Sequence, residues 1–122
     1  MAEVVITEFM DQAGVELLGR EFDTLYDPAL VNKPDALTAA LADCRGLVVR
    51  NRTPVRPALL AAAPRLVVIG RLGVGLDNID LKACAARGVP VLPATGANEV
   101  SVAEFVLGAI LVMLRNGTYH AS

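Results

Sequence analysis

Five short apolar runs alternate along the chain with five stretches that carry helix signals. The runs fall at 4–9, 21–26, 46–50, 66–70 and 90–93. Three of them contain "VVI", "GLVV" and "LVVI", unbroken aliphatics of the kind found in parallel strands buried on both faces. The second run, "EFDTLY", alternates polar and apolar positions and suits an edge strand. The stretches between predict helices over 11–19, closing on Gly19, and over 34–44, with Asn32 as cap and Pro34 at the first position. Further helices are expected over 56–63, opened by Pro57 and stopped at Pro64, and over 80–87, ended by Gly88. A last one runs from Asn98 or Ser101 to Arg115, with "SVAE" from Ser101 to Glu104 reading as a capping box.

Five βα units without repeats or linkers predict one domain over 1–122. Its expected form is a flavodoxin-like three-layer α/β/α sandwich around a five-stranded parallel sheet in the order 2-1-3-4-5. The composition agrees: 54% hydrophobic residues fill a core without disulfides or metal, and only 4% are aromatic. A net charge of −2 leaves no basic stripe for a nucleic acid backbone, which removes that class of partner. The longest apolar stretch, 105–114, falls short of the about 20 residues a bilayer needs, and Glu3 and Glu8 interrupt any leader-like run. A cytoplasmic protein is expected. Cys44 and Cys84 lack metal-ligand spacing and read as reduced core residues.

Ligands of such sheets bind beyond the carboxyl ends of the strands, so the strand-to-helix loops carry the candidate chemistry. The most conspicuous is "GRLGVGLDN" after the fourth run. A dinucleotide fingerprint, G-x-G-x-x-G, would need glycine where Asn78 stands, and no acidic residue for a ribose follows at the usual distance. No Gly-Lys-Ser/Thr follows either, so a Walker loop fails too. What remains is a turn free of bulky side chains beside Arg71, suited to a small anion such as a carboxylate, or else a plain tight turn with a solvated arginine. "VRNRTPV" places Arg50 and Arg52 around Asn51 at the same sheet edge; with Arg71 they would form a positive rim, or they form an ordinary loop in which Thr53 turns the chain. Glu8 and Asp11, after the first strand, read as solvated. In "ATGANEVSVAE", helix capping by Asn98 or Ser101 is the simpler reading. A phosphoacceptor receiver domain is ruled out, because the third strand ends in Arg50 and the fifth in Pro93 instead of Asp and Lys.

The tract "RLGVGLDNIDLKACAARGVPVLPATGANEVSVAEFVLGAILVMLR" resembles the pattern R-x-G-x-G-x-D-N-[IV]-D … G-[IV]-x-V … A-E of NAD-dependent D-isomer-specific 2-hydroxyacid dehydrogenases, a family that includes phosphoglycerate dehydrogenases. "VRNRT" is similar to that family's "VRSRT". The resemblance covers nearly the whole chain and implies the substrate-binding domain. It implies that Arg71, Gly73, Arg50 and Asn51 line the site of a small 2-hydroxy or 2-oxo acid, with asparagine in place of the usual serine. It also implies that Val74 and Gly75 lie toward the nicotinamide of an NAD cofactor, NADP remaining open, and that a threonine hydroxyl seen in several members is lost at Val74. "PAT" stands in place of the usual "NTP", and "ATGAN" resembles a subgroup acting on small acidic hydroxyacids such as sulfolactate.

The same resemblance places the dinucleotide-binding domain and the catalytic Arg, Glu and His after the last helix; none is recognisable here, His120 being the one histidine. The expectation is therefore a domain without catalytic residues of its own, inactive alone. The competing expectation is a stand-alone anion-binding or structural module. The last helix is apolar on nearly every face over 102–114, which calls for burial on all sides and so for a covering surface: another domain, or a second copy of the chain.

Overall fold

The computed structural model describes residues 2–73, 75–93 and 99–116, without the side chains of 115 and 116. Its elements run β1 (Val4–Ile6), α1 (Gln12–Glu21), β2 (Thr24–Tyr26), a 3-10 turn (Leu30–Asn32), α2 (Pro34–Leu41), β3 (Gly46–Val49), α3 (Pro57–Ala61), β4 (Val68–Arg71), α4 (Leu81–Ala86), β5 (Val91–Pro93) and α5 (Glu99–Asn116). All strand pairs are parallel, in the order β2-β1-β3-β4-β5. This is the flavodoxin-like sandwich that the alternation of runs predicts.

Side-chain alternation divides the core into two layers. Val5, Leu47, Val49 and Ile69 face α2, α3 and α4, while Val4, Ile6, Val48 and Val68 face α1 and α5. These strand residues are fully buried, which explains why the runs are unbroken rather than alternating. On the α5 side, Gly46 and Gly70 let the helix close on the sheet: a Cβ on Gly70 would lie 2.6 Å from Cγ1 of Val102, and one on Gly46 2.9 Å from Cγ1 of Val106. Gly70 thereby seats the site-bearing end of β4 against α5, and Gly46 seats the opposite end of β3.

Several element ends differ from the sequence expectation. α1 passes through Gly19 to Glu21, because Phe22 turns into the core and its N–H closes on the Leu18 carbonyl at 2.9 Å. Glu21 is thus helical, and the second strand shortens to three residues. Asn32 does not cap α2: Lys33 holds that position without a side-chain bond, and Asn32 Oδ1 accepts from Arg52 Nη2 at 2.6 Å. α2 ends at Leu41 and α3 at Ala61, both earlier than expected. Ser101 and Glu104 lie inside α5, not in a capping box, because the helix begins at Glu99, whose carboxylate takes the Asp11 N–H and the Arg50 guanidinium. Asn98 lies outside the described residues. The glycine stop at Gly88 holds, with φ +69°, and Asp80 caps α4 by accepting from the Ala83 N–H at 3.0 Å.

α5 buries Val102, Ala103, Val106 and Ile110 and turns Phe105, Leu111, Val112 and Leu114 outward, Phe105 at 58% exposure. Among the described residues no helix is long and apolar enough to cross a membrane.

Candidate functional site

β3 and β4 end side by side, with Val49 paired to Arg71 in register, so the loops that follow them share one edge of the sheet. The loops are also tied to each other. Val55 and Ile79 form an isolated parallel bridge, in which the Val55 N–H donates to the Asn78 carbonyl and the Asp80 N–H to the Val55 carbonyl, both at 2.8 Å. Between them opens a cavity of about 530 Å³ lined by Arg50, Asn51, Arg71, Leu72, Gly73, Gly75, Asp77 and Asn78. The structure therefore brings Arg50, Asn51, Arg71, Gly73 and Gly75 together at one cavity. Val74 lies outside the described residues, as do Thr95 and His120.

Arg71 is the central group and is not a solvated surface charge: only 3% of it is exposed. Its Nη1 donates to the Leu72 carbonyl, while its Nε is buried and, among the described residues, has no partner. Burial pushes its pKa down; the negative charges of Glu8 and Asp77 pull it back up and Arg50 adds to the lowering. A guanidinium remains charged through any such shift. A buried cation holding an unspent N–H beside a cavity is a site prepared for an anion. Gly73 adopts φ +114°, which side chains avoid, and a Cβ there would stand 2.7 Å from Arg71 Nη1. The turn calls for a glycine there by its φ.

Arg50 is half-buried and divides its contacts. Its guanidinium pairs with Glu99, its Nε donates to the Phe9 carbonyl at 2.5 Å, and it stands over the Phe9 ring at 5.5 Å. Arg52 does not join the rim, because its guanidinium is turned to Asn32. The positive rim thus consists of two arginines, one of them partly neutralised.

Glu8, read from sequence as solvated, is 4% exposed. Its Oε2 accepts from the Thr53 hydroxyl at 2.7 Å and from the N–H groups of Arg50 and Thr53 at 2.9 Å each; its Oε1 accepts from the Arg52 N–H at 3.1 Å. Thr53 is fully buried and its hydroxyl also meets that of Thr7 at 2.8 Å, so it does more than turn the chain. Asn78 completes the clamp: its Nδ2 donates to the carbonyls of Arg50 and Thr53 at 2.9 and 2.8 Å, and its Oδ1 is buried and, among the described residues, without a partner. Sequence reading missed Glu8, Thr53 and Asn78 as site-builders; the available signal was that "TE" ends the first strand on the ligand-binding edge.

Burial by itself raises the Glu8 carboxyl, but the Thr53 hydroxyl and the three N–H groups outweigh it, so its pKa lies below the ordinary 4.5. A carboxyl whose folded pKa is depressed contributes stability that is present above its unfolded pKa and lost as pH falls through the folded value. Glu8→Gln should therefore flatten the acid limb of stability below about pH 4.5, measured as unfolding midpoints in urea at stepped pH. An unaltered acid limb would contradict the described hydrogen bonding.

Among the described residues no group of three or more His, Cys, Asp and Glu is arranged to hold a metal ion. Cys44 and Cys84 are free and buried, and burial, with Asp43 adding, pushes the Cys44 thiol up to about 12, which makes it a packing residue and not a nucleophile.

Residues 4–118 match the family model described as D-isomer specific 2-hydroxyacid dehydrogenase, catalytic domain. The chain is similar to the (S)-sulfolactate dehydrogenase of Chromohalobacter salexigens, at 52% identity over 119 residues covering 98% of this chain and 38% of that protein. It is also similar to the D-3-phosphoglycerate dehydrogenase of Sus scrofa, at 35% over 115 residues, covering 94% of this chain and 21% of the relative. The chain thus spans well under half the length of these relatives. In three dimensions it resembles the NAD+-bound 3-phosphoglycerate dehydrogenase of Entamoeba histolytica, with a TM-score of 0.63 at 19% identity over 76% of this chain and 32% of that one, a likeness of fold.

Proposed function

This chain belongs to the D-isomer specific 2-hydroxyacid dehydrogenase family, and from that premise we propose that it is the substrate-binding part of an oxidoreductase that interconverts a small 2-hydroxy acid and its 2-oxo acid with NAD, in the cytoplasm. The observation that carries this reading is Arg71: a buried guanidinium with an unpartnered Nε, lining a cavity with Arg50 and Asn51 at the carboxyl edge of the sheet. Arg71 holds the substrate carboxylate, Arg50 and Asn51 fix its orientation, and Gly73 leaves the room that the guanidinium needs. Two guanidinia at one cavity suit a substrate with a second anionic group, in line with the sulfolactate in the name of the most similar of the relatives above.

Nicotinamide supplies hydride acceptance at the substrate C2. The residues here do not fit its pyrophosphate, since the loop lacks the third glycine of the fingerprint, with Asn78 standing at that position. They fit only an approach to the substrate side: Gly75 is exposed at the cavity and presents no Cβ, and Val74 adjoins it. A second, dinucleotide-binding domain of the parent protein completes the site. Glu8 is not available to move the substrate proton, because its carboxylate is consumed by four donor groups.

The test is titration of the chain with tartronate, which carries two carboxylates, and with lactate, which carries one, followed by an NAD+ reduction assay. Binding is expected for both, tighter for tartronate by about tenfold, with no turnover. Turnover by the chain alone would overturn the half-site reading, and absence of any binding at millimolar concentration would favour an inert scaffold.

Self-association through the outward face of α5 forms part of the same proposal. Phe105, Leu111, Val112 and Leu114 form an apolar face that a second copy covers. Sedimentation velocity should show a concentration-dependent dimer that Phe105→Glu abolishes; a monomer at all concentrations would remove this element.

A further inference from the structure

We propose that Glu8, in the loop between β1 and α1, is a positioning residue for the anion site: its carboxylate selects the conformation of the 50–53 loop that sets Arg50 and Asn51 beside Arg71. The inference rests on the reading of the Arg71 cavity as a substrate-carboxylate site.

The loop is four residues long, and its backbone groups are sorted between two side chains from elsewhere in the chain. The N–H groups of Arg50, Arg52 and Thr53 go to Glu8, and the carbonyls of Arg50 and Thr53 go to Asn78. Among the described residues, the N–H of Asn51 is the loop's one donor without an internal acceptor, and Asn51 lines the cavity. The carboxylate thus gathers three of the loop's four backbone donors onto itself.

Its charge matters as well as its shape. Converging backbone N–H groups form a nest that attracts anions. Without an internal anion, the nest formed by residues 50, 52 and 53 would compete with Arg71 for the substrate carboxylate and bind it in the wrong place. Glu8 fills the nest permanently with a buried carboxylate that cannot diffuse away. A glutamine replaces it poorly, because its amide carries no negative charge for the nest and its NH2 group would face the Arg52 N–H that Oε1 accepts from. The structural observations are the 4% exposure of Glu8, the four donor groups on one carboxylate, and the approach to the 50–53 loop from a loop more than forty residues away in sequence.

The test compares wild type, Glu8→Gln, Thr53→Val and Arg71→Ala by titration with oxalate, at a temperature where each is folded, together with residue-resolved amide hydrogen exchange. Glu8→Gln should bind oxalate about tenfold more weakly. It should also lose exchange protection at the amides of 50, 52 and 53, with protection kept at Leu47 and Ile69 in the sheet. A lower unfolding midpoint with unchanged oxalate affinity in the folded protein would overturn the proposal and leave Glu8 a purely structural clamp. Should Glu8→Gln fail to fold, Thr53→Val carries the same comparison, with Thr7→Val as control because the Thr53 hydroxyl also meets that of Thr7. Binding weakened by Thr53→Val and not by Thr7→Val supports the proposal, and full-strength binding in Thr53→Val overturns it. Oxalate binding that survives Arg71→Ala overturns the site itself; binding that needs Arg71 but ignores both Glu8 and Thr53 overturns the positioning role alone.

Discussion

Arg71→Ala is expected to weaken binding of oxalate or tartronate by about a hundredfold, because truncating one partner of a buried charge pair costs about 2–5 kcal/mol. The size follows from burial: the guanidinium is 3% exposed, so water neither screens it nor replaces it when an anion arrives. Arg71→Lys should fall between the two, since an ammonium keeps the charge but loses the planar fork that a carboxylate matches. Arg71→Ala should leave the stability of the free protein unchanged or raise it. In the free state Arg71 is a buried charge whose Nε has no partner, so the fold bears a desolvation penalty that alanine removes. Loss of binding together with retained or improved stability is the signature of a residue held for a ligand. Titration calorimetry alongside urea unfolding reads both quantities. An affinity within about threefold of wild type would place the anion site elsewhere.

Leu47→Ala should produce the largest loss of stability, about 3 kcal/mol, within the range of about 2–5 measured for such truncations in cores. Leu47 is fully buried in β3, between β1 and β4, and packs into the layer formed with Val5, Ile69 and the helices α2 to α4. Both neighbouring strands are pinned by hydrogen bonds, so the walls cannot collapse into the vacated space. A domain of this size has about 5–15 kcal/mol in total, so this one change removes a large share. Leu111→Ala in α5 is the control. Leu111 is 38% exposed, and its removal should change stability by less than about 1 kcal/mol. Urea midpoints with a constant slope check both. A Leu47→Ala loss comparable to that of Leu111→Ala would mean that the layer repacks and that β3 is not the rigid centre described.

Much of the fold was legible because of what the strands bury. Val4–Ile6, Gly46–Val49 and Val68–Arg71 hold aliphatics on both faces, as a central parallel strand does. The helix ends were less legible. Gly19 has no neighbour within 4 Å of its would-be Cβ and stops nothing; α1 is ended by Phe22 finding the core. At Ser101, a pattern that suits a cap occurs one turn inside a helix whose start is anchored by partners far away in sequence, Asp11 and Arg50.

The site divides the same way. Arg50, Asn51, Arg71, Gly73 and Gly75 were recoverable because their loops follow strands, and strand order fixes which loops meet. Sequence alone could weigh Arg71 evenly between a ligand contact and a surface charge, and it placed Glu8 in water. Their environments come from groups 42 to 63 positions apart along the chain, Glu8 with Arg50 and Arg71, which periodicity cannot register because it reports burial along one element at a time. By itself, then, the sequence determined the layers, the strand order and the edge at which ligands meet the sheet, since these follow from hydrophobic pattern and connectivity. Only the tertiary structure decided which polar groups are buried there and which stay unspent, because a charge takes its character from the neighbours that packing assigns to it.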